Sequence, residues 1–439
     1  MISAIDTAFW PVYTAAAAFG IVYVLVVTEK INGGWAAIVG ALLLLVLGIV
    51  DWNAALLHHI GLNTLLLLMG IMVTAAGADR SGIVQAIALG IIGRAAGNLP
   101  IVLIVVTLFA ACTSALLGSG PALLLLAPLI LRIGKTLRIG PVPFLIMSVI
   151  ACNLGGMTTL VGSVPNMMIG SAAGIDTLAF IRVLGIPALL LLAVHLVLLL
   201  LIFRRDMQGE GSRRLEDLKA MEPNLYVPDR RRALASLGVL MMLGLGLLLH
   251  KQLHLASGTI ALVSGLLMLV IHTRSIHDLR KMVEYMDLKT LGVLVGFYVL
   301  AGGLVETGIT GELTMRLLEL TNENKSLTAM VLFVVSGLLA AVLDPIPLTA
   351  AAIPLIQAIG IQMEVVRQSD LSSLWWALAL GAGIGSSGTL AGSVAGVLAA
   401  GLAQKEGYRF SYLSYLVIAF PLTLLALAAG GWYLYTYML

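Results

Sequence analysis

Along nearly the whole chain, runs of apolar residues about the length of a membrane-crossing helix alternate with short polar segments. A helix needs about 20 apolar residues to cross the hydrocarbon core. The runs that fit are 9–28, 34–50, 60–78, 142–175 and 180–203, then 233–250, 256–272, 289–306, 373–403 and 412–437. Only Asp6 is charged ahead of the first run, and no basic leader or small-residue cleavage site is seen, so it reads as a permanent first helix. Residues 98–134 and 324–360 differ in kind. Each is interrupted in its middle, by Gly118-Ser119-Gly120-Pro121 and by Asp344-Pro345-Ile346-Pro347. Two half-length apolar arms around such a break predict a re-entrant hairpin, whose irregular backbone survives at depth only where protein or a wet cavity solvates it. Segments 80–96 and 309–321 are amphipathic and are expected along the membrane surface.

Composition narrows the class. Of the 439 residues 60% are hydrophobic and 11% charged, against about 25% charged in an ordinary soluble domain. That excludes a soluble enzyme, a nucleic-acid binder and a disordered chain. Cys112 and Cys152 make no disulfide framework and no metal site, and both read as small core residues. Neither a cofactor, a metal nor a catalytic group is expected. The charges fix an orientation. With the N-terminus outside, only Arg182, Lys251, Arg316, Lys325 and Arg367 of the 25 basic residues fall outside, and the other 20 fall inside. Counting either hairpin as one crossing would spoil that split. Both termini are therefore expected to be extracytoplasmic, with aromatic belts at Phe9, Trp10, Trp432 and Tyr433. Residues 204–232 read as a cytoplasmic linker between an N-terminal half, 1–203, and a C-terminal half, 233–439.

The halves resemble each other. MGIMVTAAGADRSGI (69–83) and VGFYVLAGGLVETGI (295–309) share six identities, including Gly70/Gly296, Gly77/Gly303 and Gly82/Gly308. At the same offset Pro121/Pro347 and Pro128/Pro354 fall in register, and NLGGMTTLVGSV (153–164) then matches GIGSSGTLAGSV (383–394). The expected fold is an all-α polytopic membrane protein of two inverted repeats. Each repeat holds five transmembrane helices, one hairpin (98–134 or 324–360) and one broken helix (142–175 or 373–403). Inverted repeats with broken elements at matching positions mark secondary transporters. No Walker-type phosphate loop is present to indicate ATP drive.

The candidate site follows. Two hairpin tips and two helix breaks should converge near the midplane, where half-helix N-termini offer amides and a positive dipole end. Gly118, Ser119 and Gly120 belong to the first tip. Asn153, Thr158, Thr159, Ser163 and Asn166 belong to the first break, and Ser386, Ser387, Thr389 and Ser393 to the second. Small-residue packing is the plainer reading of such glycine-rich stretches, but so many polar groups are costly in lipid. Asp344 is the one acid at a tip and the candidate proton carrier; the alternative is that it caps the tip. His195 reads as a packing histidine, Glu306 as facing water, and Asp79 and Arg80 as solvated.

ALLGSGPALLLLAPL, NLGGMTTLVGSVPNMMIG, VLDPIPLTAAAIPLI and LGAGIGSSGTLAGSVAGVLAAG resemble the four motif regions of the ion transporter superfamily. The nearest group is that of arsenite permeases, NhaD-type sodium/proton antiporters and the melanosomal P protein. The resemblance implies a central site and alternating access in the cell inner membrane. The departures are specific. The group's first tip reads Asp-Asn-Val-Thr-Thr where this chain has Gly118–Ala122. Its first break ends Gly-Asp-Pro-Pro-Asn where Gly162-Ser163-Val164-Pro165-Asn166 stands. Its second tip reads Asp-Asn-Ile-Pro where Pro345 replaces Asn. With two site carboxylates gone, sodium loses ligands. A neutral polyhydroxyl such as arsenous acid needs only hydrogen-bonding groups. The similarity is thus best to an ArsB-type arsenite or antimonite efflux permease driven by proton entry. A sodium/proton antiporter, a sodium-coupled organic-anion transporter and a channel-like facilitator are the alternatives. The resemblance implies as partners the lipid bilayer, arsenite or antimonite and protons, an arsenite-stimulated ATPase subunit and a second copy in a homodimer.

Overall fold

The computed structural model describes residues 2–28, 31–95, 97–204, 215–363 and 368–439. Lys30, Arg205, Arg213, Arg214 and Arg367, which enter the charge count above, and part of the 204–232 linker lie outside them. Every regular element among the described residues is helical. In the first half the longer ones are α1 (Ile2–Thr28), α2 (Gly33–Val46), α3 (Leu62–Ser81), α4 (Ile83–Ala95), α5 (Leu99–Leu117), α6 (Ser119–Leu137), α7 (Val142–Gly156), α8 (Val164–Ala173) and α9 (Thr177–Ile202). In the second they are α10 (Arg230–Leu249), α11 (Ser257–His272), α12 (Ile276–Glu284), α13 (Leu288–Glu306), α14 (Ile309–Leu320), α15 (Lys325–Val342), α16 (Pro345–Gln362), α17 (Ser372–Gly385), α18 (Val394–Lys405) and α19 (Tyr412–Tyr437).

Polar residues at the run boundaries start many of these helices. Asn32, Asp176, Asp229, Asp287 and Asn324 each accept a backbone N–H in the first turn of α2, α9, α10, α13 and α15. Between caps, the runs are apolar on all sides, as lipid on one side and protein on the other require.

Ten described helices are long and apolar enough to cross a membrane. They are not the ten runs read from the sequence. They include all four hairpin arms and omit α2 and α11, which are shorter, and the broken halves α7, α8, α17 and α18. The arms have 18 or 19 residues, so the expectation of half-length arms is corrected. A 19-residue helix is roughly 28 Å long. What marks the hairpin is its tip: Ser119 N–H donates to the carbonyl of Gly162 at 3.1 Å, in the gap between α7 and α8. The tip therefore stops level with the middle of the broken helix.

The packing of one half recurs in the other. Helix α2 packs on α13 and α11 packs on α3; α5 packs on α7 and α15 on α17. The second arms cross over, α6 onto α18 and α16 onto α8. The glycines matched in sequence explain the first crossing. A Cβ on Gly70 would collide with the backbone of Ala261 in α11, and one on Gly296 with the backbone of Ala37 in α2. Only glycine lets these backbones approach so closely. The outer helices leave apolar side chains exposed, including Phe9, Trp10 and Trp432. Contiguous apolar surface of this extent belongs in a bilayer.

Four smaller expectations resolve differently among themselves. His195 is buried, with Nδ1 2.8 Å from the carbonyl of Leu191, a packing histidine. Glu306 lies partly exposed, 3.1 Å from His59 Nε2. Asp79 and Arg80 are not simply solvated: Asp79 accepts from Gln85 at 2.8 Å and Arg80 donates to Asp278 at 3.0 Å. Cys152 is buried, but Cys112 is exposed on α5 and not a core residue.

Candidate functional site

The breaks in the two broken helices are built alike. Ser163 and Ser393 have extended backbones, and their hydroxyls accept the N–H of Asn166 at 3.3 Å and of Gly396 at 3.1 Å, capping α8 and α18. Thr159 and Thr389 accept the N–H of Gly162 at 3.0 Å and of Gly392 at 3.1 Å. Each break thus closes on its own side chains and turns a helix N-terminus inward, where the dipole favours electron-rich atoms.

The tips meet these N-termini. Gly118 adopts φ 89°, ψ 156°, a conformation costly for any residue with a Cβ, and starts α6. Asp344 starts α16, and its carboxylate accepts the N–H of Ile346 at 2.9 Å. Asp344 thus caps the tip, and it also lines the cavity described next.

A cavity of about 50 Å³ lies where the four elements meet. Ser119, Asn153, Ser163, Asp344, Ser386 and Ser393 line it. Asn153 joins the two breaks, its Nδ2 donating to the carbonyl of Ser386 and to the hydroxyl of Ser393, both at 3.1 Å. Asp344 is the one ionisable side chain among the described lining residues, and no Lys, Arg or His lines the cavity. Gly118 and Gly120 line instead an adjoining cavity of about 260 Å³, which shares Ser119 and Ser163 with the first. A third cavity of about 220 Å³ adjoins from the other tip and shares Asp344 and Ser393. Both larger cavities reach Asp287 and Thr290 at the start of α13.

The other candidates stand behind this lining. Thr158, Thr159, Asn166, Ser387 and Thr389 line none of these three cavities. Thr159, Thr389 and Asn166 hold the backbone that does, while the Ser387 hydroxyl is buried with no partner among the described residues. Thr159 donates to the carbonyl of Ala115 at 2.6 Å, tying the break to the hairpin arm α5. Asn166 Nδ2 reaches the carbonyls of Thr159 at 2.8 Å and Met157 at 3.1 Å, satisfying acceptors the break sets free. Thr158 bonds only Gly155, one turn back.

The citrate transporter family model matches residues 23–381 of this chain. The chain belongs to that family. Among curated relatives of this citrate transporter family member, a 46 kDa membrane protein of Mycobacterium leprae is 28% identical over 96% of this chain and 97% of its own length. An uncharacterized transporter of Synechocystis is 26% identical over 94% of this chain and 96% of its own. The mouse P protein is 27% identical over 96% of this chain, which spans 60% of that longer protein. The YdaH transporter of Alcanivorax borkumensis has a similar fold, with a TM-score of 0.55 at 13% identity over 85% of this chain and 84% of its own. The protein is a multi-pass membrane transporter.

The family member has site features that the sequence reading missed. Gly392 and Val394 line the cavity beside Ser393. Pro345, where the first tip has Ser119, cannot donate to Gly392 as Ser119 does to Gly162. Asp287 accepts from Thr290 N at 3.0 Å and from its hydroxyl at 2.5 Å, in the lining of both larger cavities. The Asp-x-x-Thr spacing of a helix cap was the available signal. Tyr415 supports the second break from α19, donating to the carbonyl of Ser387 at 3.0 Å.

Proposed function

We propose that the protein exports a small neutral oxyacid, arsenous acid or its antimony counterpart, in exchange for protons carried by Asp344. The observation behind this reading is the lining of the 50 Å³ cavity: hydroxyls, an amide, helix N-termini and one acid, with no basic side chain. A buried water needs about 10–15 Å³ of such volume, so the space suits about four heavy atoms. Arsenous acid is of that size. Its hydroxyls would accept from the amides at the N-termini of α6, α8 and α18, and donate to Asp344, Ser163 and Ser393. A protonated Asp344 offers the cargo one acceptor fewer, so occupancy by proton and by cargo oppose each other, which is what exchange requires.

The route is alternating access. In our reading the halves 1–203 and 233–439 are inverted repeats, joined by the cytoplasmic linker 204–232, with both termini outside. The reciprocal packing of α2 on α13 and α11 on α3 supports the inversion. The two cavities that share residues with the site open at the N-terminal end of α13, which the charge split assigns to the cytoplasm. A cavity of about 590 Å³ at the opposite end of α13, lined by His59, Val305 and Gly308, shares no residue with the site. In this reading the arrangement is inward-open.

A second reading has one specific support: the family is described as citrate transporters, and helix N-termini bind carboxylates well. Citrate is several times bulkier than the 50 Å³ cavity, and the adjoining 220 Å³ cavity is lined by Lys289 as well as by Asp344. Everted vesicles separate the readings. Arsenite, citrate and sodium uptake are measured with and without an imposed pH gradient, in wild type and Asp344→Asn. Asn retains a comparable cap but cannot ionise. The expected result is pH-driven arsenite uptake in wild type and none in Asp344→Asn. Citrate uptake without arsenite uptake would establish the second reading, and pH-driven sodium movement alone the antiporter.

A further inference from the structure

Helix α12 occupies the connection between α11, which ends at His272, and α13, which starts at Leu288. An apolar helix ends and a spanning helix starts at this level, so α12 lies along the rim of the bundle. It is held by a capping box, in which the Ser275 hydroxyl and the Asp278 carboxylate each accept the other's backbone N–H. Its residues sort by side. Met282 is buried, and Asp278 accepts from Arg80 of α3 at 3.0 Å, which turns that side to the protein. Ile276, Leu279 and Val283 follow at helical spacing and are exposed, Ile276 to 87%. Arg280, Lys281 and His277 occupy the remaining side and are exposed. Arg280 pairs with Glu284 at 3.0 Å, while neither Arg274 nor Lys281 forms an ion pair among the described residues. At the start of α10, Arg230 and Arg231 are exposed, and Arg232 pairs with the cap Asp229 at 3.4 Å.

We propose that α12 is a docking surface for the headgroups of anionic phospholipids. A short helix with an exposed apolar stripe beside basic residues, parallel to the rim, fits the boundary between headgroups and acyl chains. The stripe Ile276–Leu279–Val283 enters that boundary, and Arg274, Arg280 and Lys281 hold phosphate oxygens. The consequence is mechanical. Glu284, the last residue of α12, and Tyr285 to Asp287 after it form a wall of the 260 Å³ cavity. A leaflet that grips α12 fixes this wall while the tips move against it.

The test needs no transport measurement. In full-length protein lacking Cys112 and Cys152, an environment-sensitive fluorophore is attached at Leu279→Cys or, for reference, at His277→Cys. Each is reconstituted in phosphatidylcholine liposomes with increasing phosphatidylglycerol. The probe at 279 should be quenched by lipid-borne quenchers and shielded from iodide, the probe at 277 the reverse. Phosphatidylglycerol should shield the probe at 279 further. Arg280→Gln and Lys281→Gln should each raise the phosphatidylglycerol content needed about fivefold, from about 1 kcal/mol per basic residue near an anionic surface. Equal iodide access at 279 and 277, or no response to phosphatidylglycerol, would overturn the proposal. So would an equal response to inorganic phosphate in phosphatidylcholine alone, which would make this a simple anion site.

Discussion

Asn166 offers a sharp test of how the first break is held. Its side chain is 1% exposed, so water cannot replace what it supplies. Nδ2 donates to Thr159 O at 2.8 Å and Met157 O at 3.1 Å, with Gly156 O at the limit of 3.5 Å. Oδ1 has no partner among the described residues, so all the side chain contributes comes from its two N–H groups. Asn166→Ala removes two good bonds and leaves two buried carbonyls unpaired. At about 1–3 kcal/mol for each orphaned group, the loss is about 2–6 kcal/mol. Asn166→Asp keeps the shape but turns a second acceptor toward the same carbonyls, and should cost more than Ala. Thr158→Ala is the control, because that hydroxyl bonds only the Gly155 carbonyl, one turn back. The assay is thermal unfolding in detergent, followed by loss of monodisperse protein. The expected order of stability is wild type, Thr158→Ala close behind, then Asn166→Ala lower by several degrees, then Asn166→Asp. Asn166→Ala melting with wild type, or Asp above Ala, would refute the account of the break.

Three further outcomes are expected. Thr159→Val removes the bond to Ala115 and leaves the Gly162 N–H without its acceptor, so the transport rate should fall about tenfold or more while the protein still folds; an unchanged rate would free the tip from the break. The Arg274 backbone N–H, then the Ser275 hydroxyl and the Arg80 guanidinium, hold the Asp278 carboxyl down to about 2. A depressed folded value stabilises above the ordinary Asp value near 4 and loses that effect as pH falls through about 2, so thermal melts of Asp278→Asn should lie below wild type at neutral pH and merge with it across that acid window. Leu225→Cys and Leu253→Cys, both on exposed residues, should in a background lacking Cys112 and Cys152 react with an impermeant thiol reagent in intact cells only at 253; the linker site Ser212 lies outside the described residues.

How much of this was legible in the sequence depends on what solvates each residue. The bilayer penalises polar atoms uniformly, so the apolar runs mark helices faithfully, and α9 and α19 fall where the pattern puts them. Gly118 and Asp344 mark the tips because irregular backbone needs special residues. Arm length was not legible, since composition carries no depth coordinate. Nor was the division between lining and support. Side-chain direction has a period in a helix but none in a break, so Ser163 and Thr159 looked alike until their hydroxyls were placed. Helix α12 was missed because its nine residues are too few for a hydropathy window and its charges read as loop.

The two halves share a backbone plan but not its chemistry. Where the first break has Asn153 and Asn166, the second has Gly383 and Gly396, and the cross-link between breaks is therefore one-sided, from Asn153 to Ser386 and Ser393. Where the second tip has Asp344, the first has Gly118. The difference is written into the backbone as well as the side chain. Asp344 sits at φ −58° and ψ 125°, where an acid caps a helix without strain. Gly118 sits at φ 89°, where any side chain is strained. The acid therefore cannot be moved to the first tip at low cost, because φ 89° strains any side chain there, whereas glycine at the second tip would fit the backbone and lose only the cap. In the exchange proposed above, this asymmetry keeps Asp344, the one ionisable side chain lining the 50 Å³ cavity among the described residues, on one side of the cargo.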